Sequence, residues 1–188
     1  GWSMGWQFTE DVATYCERVG PLLTRAPVAN TVPLTVLGYL RSGGTGYGGS
    51  EPILLGWYDD PDAPSGEPSG AVLMTPPFEL LLAVVPREAL RSLAEALRAN
   101  GTVVPGANGV VDVVEAFSAA WLAGTSQGAE TRLRIRLYAL AELLPPPHPT
   151  DGRARLATED DTDHAVAWFN AFHDEVGGHE PEVRSSVM

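Results

Sequence analysis

The stretch that decides the fold is Ala71-Val72-Leu73-Met74-Thr75, Pro76-Pro77, Phe78-Glu79-Leu80-Leu81-Leu82-Ala83-Val84-Val85, and then Pro86-Arg87-Glu88-Ala89-Leu90-Arg91. Two apolar runs separated by a proline pair predict two antiparallel strands. Pro86 then opens a predicted helix over residues 87–99, in which leucine and alanine recur at helical spacing. Residues 71–100 contain no glycine. The chain therefore passes from strand to helix without the residue that best lets a backbone approach a ligand.

The flanking sequence predicts further elements on both sides of this stretch. Thr9 is expected to cap a first helix that ends at Gly20-Pro21, and Asn30 to cap a second. Downstream we expect a strand and turn over 102–109, a helix that ends at Gly124, and a last strand over 131–140. With the strand at 53–58, the elements predict an α+β fold with a central, mostly antiparallel sheet flanked by helices.

This order of elements, with Val84-Val85-Pro86 at the end of a strand, resembles the Gcn5-related N-acetyltransferase (GNAT) family across residues 8–143. The resemblance implies a GNAT-like sheet whose fourth strand precedes an Arg/Gln-x-x-Gly-x-Gly/Ala loop that binds the pyrophosphate of acetyl-CoA. Here Arg87-Glu88-Ala89-Leu90 stands at that place, without glycine and with an acidic residue where an anion would bind. We therefore expect residues 8–143 to be a degenerate GNAT-like domain without its own acetyl-CoA loop.

A second domain is predicted to start after the proline-rich linker at 144–150. The run Arg155-Leu156-Ala157-Thr158-Glu159-Asp160-Asp161 resembles the opening strand and first helix of another GNAT domain, so residues 151–188 are identified as its incomplete beginning. The resemblance implies the N-terminal half of a tandem acetyltransferase, with acetyl-CoA and the catalytic groups in the rest of the second domain. That remainder, or another chain, is expected to pack on Trp168, Phe169 and Phe172.

Function is thus predicted as a substrate-binding or scaffolding half of an enzyme that transfers acetyl from acetyl-CoA to an amine. We assign no catalytic or metal-binding residue to this chain. Arg87 and Arg91 are candidates for a phosphate in an altered mode of CoA-ester binding, and Trp57 and Phe78 for a substrate cleft. The alternative is a complete, non-catalytic interaction or ligand-binding module with a GNAT-like fold.

Composition narrows the class of partner. The chain has 188 residues and a formal net charge of −12, which disfavours nucleic acid and anionic membrane surfaces. Arg132, Arg134 and Arg136 alternate, and we interpret them as one solvated face of the strand at 131–140. All basic residues are arginine, which indicates a high-GC bacterial genome. With one cysteine, no signal-like N-terminus and no apolar run of the ~18 residues that span a membrane, a cytoplasmic location is expected.

Four short motifs suggest other chemistry but lack its context. The G-x-G-x-x-G match at 44–49 follows a helix, and the G-x-S-x-G match at 124–128 precedes a predicted strand, the reverse of what a dinucleotide site or a nucleophile elbow needs. Asp60 and Asp62 lack the closing carboxylate of a calcium loop. His173 and His179 lack the i,i+4 spacing of helical metal ligands. We interpret these as a surface loop, a helix end, a hairpin loop and exposed histidines.

Overall fold

The structure is a computed structural model that describes residues 5–43, 51–62, 66–148 and 151–176. The chain divides into two compact units, Gly1–Leu140 and Ala141–Met188. The described elements of the first unit are β1 (Trp6–Thr9), α1 (Val12–Thr24), α2 (Thr31–Arg41), β2 (Leu54–Tyr58), β3 (Gly70–Met74), β4 (Leu80–Val84), a 3₁₀ turn (Arg87–Ala89), α3 (Leu90–Ala99), β5 (Ala107–Gly109) and α4 (Val111–Leu122). The second unit has a 3₁₀ turn (Glu159–Asp161) and α5 (Thr162–Val176).

The first unit is built on a five-stranded sheet in the order β1-β2-β3-β4-β5. Neighbours from β1 to β4 are antiparallel, and β4 and β5 are parallel, with Leu80 opposite Ala107 and Leu82 opposite Gly109. Close approach explains the glycine in β5, because a Cβ on Gly109 would lie 2.9 Å from the carbonyl oxygen of Leu82. The predicted α+β class with a mostly antiparallel sheet is confirmed.

Each face of the sheet carries its own hydrophobic core. Val72 and Met74 face the core shared with α3 and α4, whereas Ala71 and Leu73 face the core shared with α1 and α2. Every residue of β3 is buried, as expected of a strand covered on both faces. The glycine-free stretch therefore lies at the centre of the fold, where β3 is covered on both faces and α3 packs on one of them.

The first helix begins and ends later than the sequence predicted. Asp11, not Thr9, is its N-cap, and the Asp11 Oδ1 accepts a hydrogen bond of 2.6 Å from the Thr14 N–H. Thr9 instead ends β1, a strand that the sequence analysis missed. The helix also continues through Pro21 to Thr24, because Leu23 extends the buried row of Tyr15 and Val19 by one more turn. Tertiary burial therefore outweighs the local helix-ending tendency of Gly20-Pro21.

The predicted start of α2 is confirmed in position but not in mechanism. Asn30 is the N-cap residue, yet its side chain makes no capping hydrogen bond. Its amide donates instead to the carbonyl oxygen of Leu23 at 2.9 Å, and the residue is buried. Asn30 therefore joins the end of α1 to the start of α2.

The prediction that residues 131–140 form the last strand of the sheet is wrong. These residues form no ladder with any described strand, and all of them are exposed. Alternation of polar and apolar residues reports two faces, but it does not report whether a neighbouring strand is present. The strand predicted at 153–157 likewise forms no ladder with a described strand.

Thr158 caps a helical segment in the second unit, as the sequence predicted. Thr158 and Asp161 form a capping box, and Asp161 also accepts two hydrogen bonds of 2.7 Å from Arg155. On α5 the aromatic face stays open: Trp168, Phe169 and Phe172 are 70%, 45% and 60% exposed. Among the described residues, no helix is both long enough and apolar enough to cross a membrane.

Candidate functional site

The segment after β4 forms a turn that hydrogen-bonds two of its own backbone N–H groups internally. The Ala89 N–H donates to the Pro86 carbonyl oxygen at 2.9 Å, and the Leu90 N–H donates to the Arg87 carbonyl oxygen. Residues 87–89 form a single 3₁₀ turn, which then continues as α3. Because Ala89 is fully buried, its backbone is withdrawn from solvent. The N–H groups of Ala89 and Leu90 are therefore not available to an anion.

Trp6 of β1 is hydrogen-bonded to this turn. Its Nε1 donates a hydrogen bond of 3.1 Å to the Ala89 carbonyl oxygen, which also accepts from the Ser92 hydroxyl at 3.0 Å. The indole is 1% exposed and lies 5.3 Å, centroid to centroid, from the ring of Tyr58. Sequence reasoning missed Trp6, although the alternation of Trp6 and Phe8 around Gln7 was the available signal.

The surroundings of the turn are acidic. Burial raises the pKa of Tyr58, and the negative charges of Asp60, Glu88 and Asp62 raise it further. These carboxylates therefore act on the same ring that contacts Trp6. Glu88 would repel a pyrophosphate placed at this turn. Arg87, in the same turn, carries the opposite charge.

A groove of ≈ 580 Å³ lies between α3 and α4. The α4 side of the groove is lined by Ala116, Ala119, Ala120 and Ala123. The α3 side is mostly charged and is lined by Arg87, Leu90, Arg91, Glu95 and Arg98. The small alanine side chains leave room between the helices. The two phosphate candidates predicted from the sequence, Arg87 and Arg91, both line this groove.

The arginines of the groove differ in what they do. Arg98 donates to the carbonyl oxygens of Ala120 and Trp121, and its guanidinium lies 5.1 Å from the ring centroid of Trp121. Arg98 therefore binds the carboxyl end of α4, where a cation is favourable. Arg87 and Arg91 are exposed, and their guanidinium groups form no hydrogen bond or ion pair within the described part of the chain. They are the two cations that the groove can offer a ligand.

Trp57 and Phe78 are not brought together. Trp57 lies on β2 opposite Ala71 at the start of β3, whereas Phe78 follows the end of β3 in the connection to β4. The Trp57 Nε1 donates to Asp59 at 3.1 Å, and Asp59 also pairs with Arg18 at 2.8 Å. Phe78 is 39% exposed. The two rings therefore lie toward opposite ends of the sheet.

The short motifs that suggested a nucleophile elbow or a metal site do not form one among the described residues. Gly124 lies just after the end of α4 and has a φ of +80°. A nucleophile elbow joins a strand to a helix, whereas the described residues on either side of Gly124 are a helix and a segment without a strand. Ser126 therefore does not lie on a nucleophile elbow. Residues 44–49 and His179 lie outside the described residues. Within the ranges that are described, no three His, Cys, Asp or Glu side chains gather as a metal site would require.

Comparisons with protein-family models, with curated proteins and with solved structures find no match to this chain. The features that bear on function are the turn after β4, the groove between α3 and α4, and the exposed face of α5.

Proposed function

We propose that this chain is the substrate-binding or scaffolding half of a cytoplasmic GNAT-type N-acetyltransferase that transfers acetyl from acetyl-CoA to an amine. The observation that carries the proposal is the turn after β4. It stands where the family resemblance places the acetyl-CoA loop, after a strand that ends in Val84-Val85-Pro86. The turn uses the Ala89 and Leu90 N–H groups internally and is packed on Trp6.

A division of labour follows from this turn. Binding of a pyrophosphate by backbone requires N–H groups that point into solvent at a helix start. The internally bonded N–H groups of Ala89 and Leu90 and the charge of Glu88 disfavour such binding here, while the sheet and its two cores remain intact. Acetyl-CoA and the catalytic groups then belong to the remainder of a second domain, and this chain supplies framework to the whole enzyme.

The exposed face of α5 supports a partner for the second unit. Trp168, Phe169 and Phe172 present a large aromatic surface that water solvates poorly. In the proposed enzyme the rest of the second GNAT domain covers it. In the alternative, a complete non-catalytic interaction module, another chain covers it.

A second candidate function rests on the groove between α3 and α4. Arg87 and Arg91 are one helical turn apart at its rim and lack partners among the described residues. Two guanidinium groups can bind phosphate oxygens without any backbone loop. A CoA ester in an altered mode is the ligand class that this arrangement favours.

Isothermal titration with acetyl-CoA separates these functions. The scaffolding proposal expects no saturable binding at micromolar concentration and no thiol release with a panel of primary amines. Tight acetyl-CoA binding that is lost in the Arg87→Gln/Arg91→Gln double variant but kept in Arg153→Gln would contradict the scaffolding proposal. It would support binding of a CoA ester in the groove instead. Turnover that disappears when residues 151–188 are removed would contradict the assignment of catalysis to absent sequence.

The intact mass of the natural protein distinguishes the enzyme half from the complete module. A polypeptide longer than these 188 residues is expected for the tandem enzyme. A natural protein that ends at Met188 would favour the interaction module.

A further inference from the structure

Residues 131–140 form an exposed, extended segment that the proposed function does not use. From residue 128 to 140 the chain has no turn or bend, and its backbone forms no hydrogen bond with any described residue. Its apolar side chains are open to solvent: Leu133 is 76% exposed, Ile135 62% and Leu137 48%. A period of two over this length is the pattern of a strand with two distinct faces.

The chain's own sheet offers this segment too little edge. The described sheet ends in β1, which has four residues, and in β5, which has three. A ladder on either strand would leave most of the backbone N–H and C=O groups of 131–140 unpaired. A partner that pairs with the whole segment must therefore come from outside the described sheet.

A second copy of the same segment is a poor partner because of its charges. Arg132, Arg134 and Arg136 occupy every second position. In an antiparallel pair of identical segments, the two registers of greatest overlap that keep the faces separate place Arg134 opposite Arg136 or Arg136 opposite itself. Like charges directly opposite each other on adjacent strands are destabilising. Self-pairing is therefore disfavoured.

The arginine face is suited to carboxylates. Arg132 already pairs with Glu79 at 2.6 Å, next to the start of β4. Arg134 and Arg136 form no hydrogen bond or ion pair with any described residue. Their guanidinium groups are available at the spacing at which an extended strand repeats its side chains.

We propose that residues 131–140 bind an extended acidic segment of another protein by strand addition. Backbone hydrogen bonds form the ladder, and carboxylates at alternate positions of the partner face Arg134 and Arg136. The apolar side chains of the partner cover Leu133, Ile135 and Leu137 on the opposite face. This interaction is independent of acetyl-CoA and of the proposed enzyme half.

The test uses the full chain and two short labelled peptides, one alternating Glu and Val and the other alternating Lys and Val. Fluorescence anisotropy should detect binding of the Glu peptide alone, and raised salt should weaken it. Hydrogen exchange should slow at the amides of 131–140 when the Glu peptide is added. The Arg134→Glu/Arg136→Glu variant should weaken binding about tenfold or more.

Two variants separate strand addition from a general charge effect. Arg153→Glu changes an exposed arginine elsewhere and should leave binding unchanged apart from a small electrostatic loss. Ile135→Pro keeps every charge but removes a backbone donor in the middle of the segment, so it should abolish peptide binding while the melting temperature stays the same.

Several results would overturn the proposal. They are equal binding of the Lys peptide, full binding by Ile135→Pro, and slow exchange of residues 131–140 in the free monomer. Protection that appears only with rising protein concentration would assign the segment to self-association instead. Tighter binding of a single-stranded oligonucleotide than of the Glu peptide would assign it to nucleic acid.

Discussion

The indole Nε1 of Trp6 donates a hydrogen bond of 3.1 Å to the carbonyl oxygen of Ala89, which lies 83 residues further along the chain. This bond joins the first strand to the turn before α3, across the core that α3 and α4 complete. One end of the bond is an edge strand, and the other is the turn where the resemblance places a cofactor loop.

Trp6→Phe should lower the free energy of unfolding by ~1 kcal/mol, because it removes the indole donor while it keeps an aromatic ring in the core. Trp6→Ala should cost ~3–5 kcal/mol, since it also opens a cavity. Urea denaturation measures both. Trp168→Phe is the control, because that ring is 70% exposed. An equal or larger loss in Trp168→Phe than in Trp6→Phe would contradict the role of the Trp6 bond.

Tyr15→Phe should cost ~1–2 kcal/mol near neutral pH, because the buried hydroxyl donates to the Val72 carbonyl oxygen at 2.9 Å. Burial also raises the pKa of Tyr15 above its ordinary value of 10.0. The unfolded chain loses this proton near pH 10 and the folded chain keeps it, so stability should fall as pH rises above about 10. Unfolding curves across alkaline pH should show a shallower decline in Tyr15→Phe than in the exposed control Tyr138→Phe.

Asp161→Asn should loosen the start of α5. The hydrogen bonds from Arg155 hold the pKa of Asp161 below its ordinary value of 3.8, and the backbone N–H of Thr158 lowers it further. A depressed folded pKa means that the stabilisation is complete above about pH 4 and is lost as pH falls through the folded value. Amide exchange in the first turn of α5 should therefore be faster in Asp161→Asn than in Asp160→Asn at pH 7. If both variants exchange alike, the Arg155 contact does not hold the helix start.

Trp168→Ala should leave the melting temperature of the chain unchanged, because the side chain is 70% exposed. Phe117→Ala, by contrast, should cost ~3–5 kcal/mol, since that ring is 1% exposed within the core. Sedimentation velocity should show weaker association with the partner of α5 for Trp168→Ala but not for Phe117→Ala. A clear drop in melting temperature for Trp168→Ala would show that this ring is packed within the monomer.

The sequence predicted best where local pattern and burial agree. Leu90, Leu93, Ala94 and Leu97 recur at helical spacing, and all four are buried on α3. The end of α1 was mispredicted because Leu23 gains burial beyond Pro21, a tertiary effect that local signals do not contain. Residues 131–140 alternate as a strand does, but pairing depends on an edge elsewhere in the fold.

The candidate site was predicted only in part. The missing glycine after Val85 identified the turn, and Arg87 and Arg91 were already the phosphate candidates. Their shared groove depends on the packing of α4 against α3, in which Ala116 and Ala120 leave space. Trp6 was missed because its contact spans 83 residues, and no spacing rule covers that separation.

The position of β1 has a consequence for synthesis on the ribosome. Trp6 leaves the ribosome before its partners: it pairs opposite Tyr58 and donates to Ala89, so its native surroundings do not exist until residue 89 has left the exit tunnel. Chains fold from the N-terminus as they are made, and exposed apolar side chains are what chaperones recognise. Trp6 and Phe8 thus remain uncovered throughout synthesis of the sheet. The nascent chain is most vulnerable to aggregation in that interval, before α3 arrives to close the core.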